Sequence, residues 1–221
     1  MFSSIIQTFF TSIMAVSLAS SSYIPPQEEQ ILPPSVLLDV TFTSQAPTGD
    51  WSLPYKEACE EASIIMVKYF LHSQQLTKDI ANKEIVALTK WVEEKGYGLD
   101  ISAQQTLDTA VSFYGLHGEV FYGEEVTVEK IKQLLNDGYP VIIPAAGRIL
   151  DNPNYLEPGP VYHMIVIIGY DGSNFITHDP GTQFGSNFKY SYQNLYDAIK
   201  DCDCARTSNE EVGKAMLILY R

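Results

Sequence analysis

The sequence predicts an α+β domain, with helices in its first half and a mostly antiparallel sheet in its second. Between residues 58 and 114, apolar residues recur at helical spacing in successive segments. From residue 119 onward, short Val/Ile-rich runs dominate, bounded by Gly, Pro, Asn and Asp. Two of those runs flank Asp171-Gly172, a pair that favours a tight hairpin turn. With 221 residues, 45% of them hydrophobic, the chain can build one ordinary core.

In order along the chain, residues 1–26 carry no charged side chain, and Ile5 to Ala19 is largely apolar. Ser17-Leu18-Ala19 offers the small residues a signal peptidase reads, so residues 1–19 are expected to be a secretory leader and the protein extracytoplasmic. Polar interruptions (Gln7, Thr8, Thr11, Ser12) disfavour a permanent membrane anchor. Residues 20–35 are Ser-rich, then Pro-rich, and read as a linker. Residues 36–221 form the single expected domain.

Val36 to Val40 suits a short strand, and Thr41 to Trp51 a loop broken by Pro47 and Gly49. Pro54 to Ser63 runs from a loop into an apolar helix that continues through Ile64, Ile65, Met66, Val67, Tyr69 and Phe70. A second helix follows Thr77 and ends before Gly96 and Gly98. A third begins at Ser102, a good N-cap, and stops at Gly115. Then come a strand over 119–122, a helix over 127–136 stopped by Gly138, and a buried strand over 139–144. Residues 147–160 form a long Pro/Asn/Gly loop, of the kind that carries function. Strands over 161–170 and 174–179, a helix over 190–201 and a strand over 215–220 complete the chain.

The formal net charge is −13, from 14 Lys+Arg against 27 Asp+Glu, which repels phosphate backbones and argues against nucleic acid as a partner. Cys202 and Cys204 could pair in an exported protein, which leaves Cys59 as the odd thiol. Cys59 stands in the first turn of its helix, near unpaired N–H groups and the positive end of the dipole, which favour the nucleophilic thiolate. Glu60 and Glu61 act against this, because neighbouring negative charge raises a thiol pKa. A reactive Cys59 therefore needs a histidine.

His72 lies 13 residues further along the same helix, about 20 Å by helix rise, and is too far. His117 sits in a Gly-flanked turn. A hairpin centred near residue 171 makes His163 and Asp179 approximate cross-strand partners at its open end. An Asp beside a His fixes its tautomer and orientation, as Cys-His-Asp chemistry requires. Alternation points His178 to the opposite face from Asp179. A metal site built from His163, His178, Asp179, Cys202 and Cys204 is disfavoured by that alternation and by the tight Cys-x-Cys spacing.

Five stretches then carry a family likeness: Ser44-Gln45-Ala46-Pro47, Ala58-Cys59-Glu60-Glu61-Ala62-Ser63, Tyr162-His163 before an apolar strand, Gly169-Tyr170-Asp171, and Asp179-Pro180-Gly181-Thr182. Over roughly residues 38–201 the chain resembles the bacteriocin-processing-like cysteine peptidases. The resemblance implies a papain-like fold, with Cys59 as nucleophile, His163 as general base and acid, Asp179 as orienting group and Gln45 as oxyanion donor. Gln45 precedes Cys59 by 14 residues, against about half a dozen in papain-like enzymes, so residues 49–57 must bulge outward. Trp51, Tyr55 and Tyr155 are expected to line a substrate groove. The expected enzyme is a monomeric endopeptidase acting on a peptide or protein, with no cofactor or metal and with membrane contact only through its leader. The competing expectation is a catalytically silent module that binds peptides or cell-wall components on the same fold.

Overall fold

Ten of the 13 residues of the helix Cys59–Leu71 (α1) are buried, Glu60, Glu61 and Ser63 among them, so this helix is enclosed on nearly every side and sits at the centre of the molecule. The computed structural model describes residues 31–202, 204 and 213–221, and Leu32–Arg221 forms one compact unit. The expected leader, and the linker up to residue 30, lie outside the described residues.

A strand Val36–Leu37 (β1) precedes α1, which is followed by Lys78–Glu94 (α2) and Ala103–Tyr114 (α3). The remaining elements are β2 (His117–Tyr122), α4 (Val128–Asn136), β3 (Val141–Ala145), α5 (Gly147–Leu150), β4 (His163–Tyr170), β5 (Asn174–His178), β6 (Phe188–Ser191), α6 (Tyr192–Ala198) and β7 (Ala215–Tyr220). Short 3₁₀ turns occupy Tyr55–Glu57 and Gly123–Glu125.

Local chemistry sets the helix ends. The Thr77 and Thr127 hydroxyls accept the N–H groups of Ile80 and Lys130 at 3.3 and 3.0 Å. Ser102 and Gln105 form a capping box at α3, and Gly115, at φ 68°, closes that helix in the left-handed conformation.

The strands form one sheet in the order β2-β7-β3-β4-β5-β6, with β1 added against β4, and every described pairing is antiparallel. All eight residues of β4 are buried. Met164, Val166 and Ile168 join the core beneath α1–α3, whereas Ile165 and Ile167 join a second core with α4 and α6. Covering both faces explains why an antiparallel strand reads as an unbroken apolar run.

Three elements differ from the sequence expectation. The first strand shortens to two residues, because only Val36 and Leu37 pair with β4. Residues 147–150 form a helical turn at the start of the long loop. The stretch expected to be a helix from residue 190 begins as strand β6, because Tyr190 pairs with Phe175 and Ser191 with Asn174. Ser191 then caps α6 by accepting the Asn194 N–H at 3.2 Å.

Candidate active site

Cys59 opens α1. Its N-cap is Ala58, which offers no side-chain acceptor to the first-turn N–H groups. The Ser63 hydroxyl donates to Cys59 O at 2.8 Å and reaches Met164 O at 3.4 Å, which ties the start of α1 to β4. Cys59 borders a cleft of about 580 Å³ that Gln45, Trp51, Asp100, Tyr155, His163 and Phe184 also line.

His163 begins β4, and its Nε2 lies 2.8 Å from Asp179 Oδ1. The two residues are not directly opposed. β4 and β5 pair Val166 with His178, and a bulge between Ile167 and Gly169 shifts the register nearer the turn. Asp179 lies just beyond β5 and reaches His163 diagonally. Gly169 permits β1 to close in, since a Cβ there would lie 2.3 Å from Val36 O. Gly181 is required for a similar reason: its Cβ would meet His163 Cε1 at 2.8 Å and displace the ring.

The Asp179 carboxylate is buried and accepts from five groups. Oδ1 takes His163 Nε2 at 2.8 Å and Gly181 N–H at 3.0 Å. Oδ2 takes Tyr155 at 2.6 Å, Tyr190 at 2.7 Å and the Asn152 amide at 3.0 Å. Burial pushes the carboxyl up, but the charge and hydrogen bond of His163, with the two tyrosine hydroxyls, bring it below the ordinary carboxylate range. Asp179 is therefore held ionised, and the ionised form keeps His163 with Nε2 toward Asp179. His163 Nδ1 has no hydrogen-bond partner among the described residues.

The thiol itself departs from the sequence expectation. Cys59 Sγ donates to Glu60 Oε2 at 3.0 Å, while Ile101 N–H donates to the other oxygen, Oε1, at 3.0 Å. Burial, then Glu60, then Glu61 push the Cys59 thiol well above its usual value. Desolvation and carboxylate repulsion thus outweigh the helix dipole, and the resting thiol is neutral. Glu60 itself is pushed up to about 7, mainly by its burial.

The other residues singled out from the sequence occupy different places. Gln45 lines the cleft and is only 4% exposed; its Nε2 donates to Lys56 O at 2.8 Å, and its Oε1 is buried without a partner. The 3₁₀ turn Tyr55–Glu57 takes up part of the extra chain between Gln45 and Cys59. Backbone N–H of Gln45 donates to Pro180 O at 3.0 Å, anchoring its loop beside Asp179. Trp51 lies on the cleft wall. Tyr55 does not line the cleft but packs against the α1–α3 core. Tyr155 lines the cleft and also holds Asp179, with its ring edge-on to His163 at 5.5 Å between centroids.

Asn152 and Tyr190 are site residues that sequence reasoning did not find; the opposing charge of Glu60 was legible beside Cys59, but its direct hydrogen bond to the thiol was not. Tyr190 alternates with Phe188 in a strand-like way, a usable signal, whereas Asn152 in its loop has none. His178 is fully engaged, accepting Asn187 N–H on Nδ1 at 3.2 Å and donating from Nε2 to Val40 O at 2.7 Å. Cys202 and Cys204 form a disulfide. The five residues considered for a metal are therefore not assembled as one, and among the described residues no group of three such side chains could hold a metal ion.

A buried cysteine opening a central helix, facing a His-Asp pair at one end of an antiparallel sheet, is the architecture of the papain-like cysteine peptidases. The chain belongs to the Peptidase_C39-like family, whose model matches residues 37–203. A putative C39-like peptidase from Bacillus anthracis is similar in structure, with 17% identity and a TM-score of 0.54 over 85% of this chain and 98% of that one. Xylellain, a cysteine protease from Xylella fastidiosa, aligns with 13% identity and a TM-score of 0.44 over 86% of this chain and 87% of that one. No curated protein matches the chain.

Proposed function

We propose that this protein is an endopeptidase that cleaves amide bonds by acyl transfer through Cys59. The observation that carries the reading is the convergence of Cys59, Gln45 and the buried His163–Asp179 pair on one cleft. Leu156 and Phe184, 91% and 74% exposed on the cleft rim, suit a peptide with apolar side chains near the cut.

Catalysis begins when Cys59 rotates from Glu60 toward His163 and passes its proton to Nδ1. The thiolate sulfur bonds to the substrate carbonyl carbon, and the carbonyl oxygen becomes an oxyanion held by Gln45 Nε2 and the Cys59 N–H. His163 returns the proton to the departing amine as the C–N bond breaks, leaving a thioester. Water attacks the thioester, giving its proton to His163. Collapse releases the new carboxyl end and restores the thiol. We read the enzyme as exported, on the strength of its uncharged, apolar first segment.

The direct test is digestion of a proteome-derived peptide library, with new termini mapped by mass spectrometry. Termini made by the parent and not by Cys59→Ala support the reading; identical maps overturn it. Gln45→Ala is expected to lower kcat by about 10²–10³-fold with little change in KM, since its amide acts on the developing charge. An unchanged kcat would remove Gln45 from the mechanism.

A silent binding module on the same fold is favoured by one observation, the neutral thiol donating to Glu60. Iodoacetamide labelling of Cys59 separates the two readings. Labelling at pH 7 is expected to be slow and to rise with pH, because only the thiolate reacts and its pKa is raised. Glu60→Gln removes the competing charge and should speed labelling several-fold or more at neutral pH, about tenfold for each unit by which the thiol pKa falls. In that background His163→Ala should slow it again. A rate indifferent to His163 would favour the binding module.

A further inference from the structure

Next to the cleft lies a second pocket, of about 610 Å³, bordered by the start of α1, by α2 and by residues 97–99. Glu57, Glu61 and Glu93 line it, and Glu57 also lines the cleft, so the two spaces adjoin. Glu61 is 3% exposed, and its Oε2 has no hydrogen-bond partner among the described residues. A buried, unpartnered carboxyl oxygen is costly, and a site that keeps one is built for something that supplies the missing donor.

The lining chemistry narrows the occupant. Leu53, Val86 and Leu99 are exposed large apolar residues on the pocket walls. The cations nearby do not reach Glu61: Lys90 also lines the pocket but its side chain is 74% exposed and lies 3.8 Å from Glu94, and Lys56 pairs with Glu57 at 3.4 Å on a solvated surface. No described trio of carboxylates or histidines could hold a metal ion. One buried carboxyl, Glu61, with Glu57 and Glu93 on the border and aliphatic walls, matches a long side chain ending in a positive charge. Burial and then Glu60 push the Glu61 carboxyl well up, the behaviour of a buried acid lacking its counter-ion. Asp100, in the cleft, is likewise raised by burial and then by Glu57.

We propose that this pocket binds a basic side chain of the substrate, Lys or Arg, with its stem on Leu53, Val86 and Leu99 and its charged end at Glu61, Glu57 and Glu93. The inference rests on the peptidase reading for its purpose, but its binding test does not require cleavage.

That test titrates the full-length Cys59→Ala protein with N-acetyl-lysine methylamide and its uncharged counterpart N-acetyl-norleucine methylamide, followed by NMR shifts. The lysine compound should bind about tenfold more tightly or better. Glu61→Gln should erase the difference, and Glu93→Gln, at an exposed position, should reduce it several-fold. Equal affinities, or a preference untouched by Glu93→Gln, overturn the proposal. Library digestion by the active enzyme supplies the second readout: Lys or Arg should be enriched at a fixed distance from the cut, and Glu93→Gln should weaken that enrichment. Cuts without a basic preference would overturn the pocket and leave the peptidase reading standing. Lysine binding without any cuts would do the reverse.

Discussion

On the proposed mechanism, Cys59→Ala is expected to abolish cleavage of every peptide the parent cuts, a loss of about 10⁴-fold or more, while the protein stays folded. The expected size follows from the role: without Sγ no thioester can form, and the remaining oxyanion donors and cleft can only orient water. Stability should change little. Cys59 packs in the core with 5% exposure, so deleting one sulfur costs about 1 kcal/mol in buried contacts. The same deletion also removes an S–H that donates to Glu60. Cleavage rate and melting temperature measured on one preparation check both halves. A variant that still cuts refutes thioester chemistry at Cys59.

Asp179→Asn is expected to lower kcat by about 10²–10⁴-fold and to reduce stability by about 3 kcal/mol. An amide at this position offers N–H groups where the structure requires acceptors. Oδ2 now faces three donors, Tyr155, Tyr190 and Asn152, and Oδ1 faces His163 and the Gly181 N–H, so one amide end must leave its donors unsatisfied. His163 then loses the charge that fixes its Nε2 toward Asp179. The fold should show the loss in its pH dependence too. The Asp179 carboxyl lies below the ordinary range when folded, so the unfolded chain binds its proton first as pH falls. Its stabilising contribution is full above the unfolded carboxylate pKa of about 3.9 and disappears as pH drops through the lower folded value. Melting temperatures between neutral pH and pH 2 should therefore fall more steeply for the parent than for Asp179→Asn. Parallel curves would mean that Asp179 is not held ionised by its neighbours.

Much of the architecture was legible because it is written locally. The capping residues Thr77, Ser102 and Thr127 and the stop at Gly115 declare helix ends within a few residues. Val141–Ala145 and β4 declare themselves by continuous apolar runs. β6 showed only the short alternation of Phe188 and Tyr190 before its sequence runs into a helical pattern, and its pairing with β5 is what makes Phe188–Ser191 a strand.

The site divides in the same way. Cys59 at a helix start, His163 at a strand start and Asp179 after a hairpin are positions that period and turn chemistry mark out. By itself the sequence determined the α+β class, most of the elements, the family likeness and the residue types that could meet. The tertiary structure alone decided that His163 and Asp179 meet diagonally across a bulged pair, that Asn152, Tyr155 and Tyr190 surround the carboxylate, and that the Cys59 thiol rests on Glu60. Those outcomes depend on register and on burial. Register is set by contacts far apart in the chain, and the charge state of a buried thiol is set by the water it loses, which no local pattern of residues encodes.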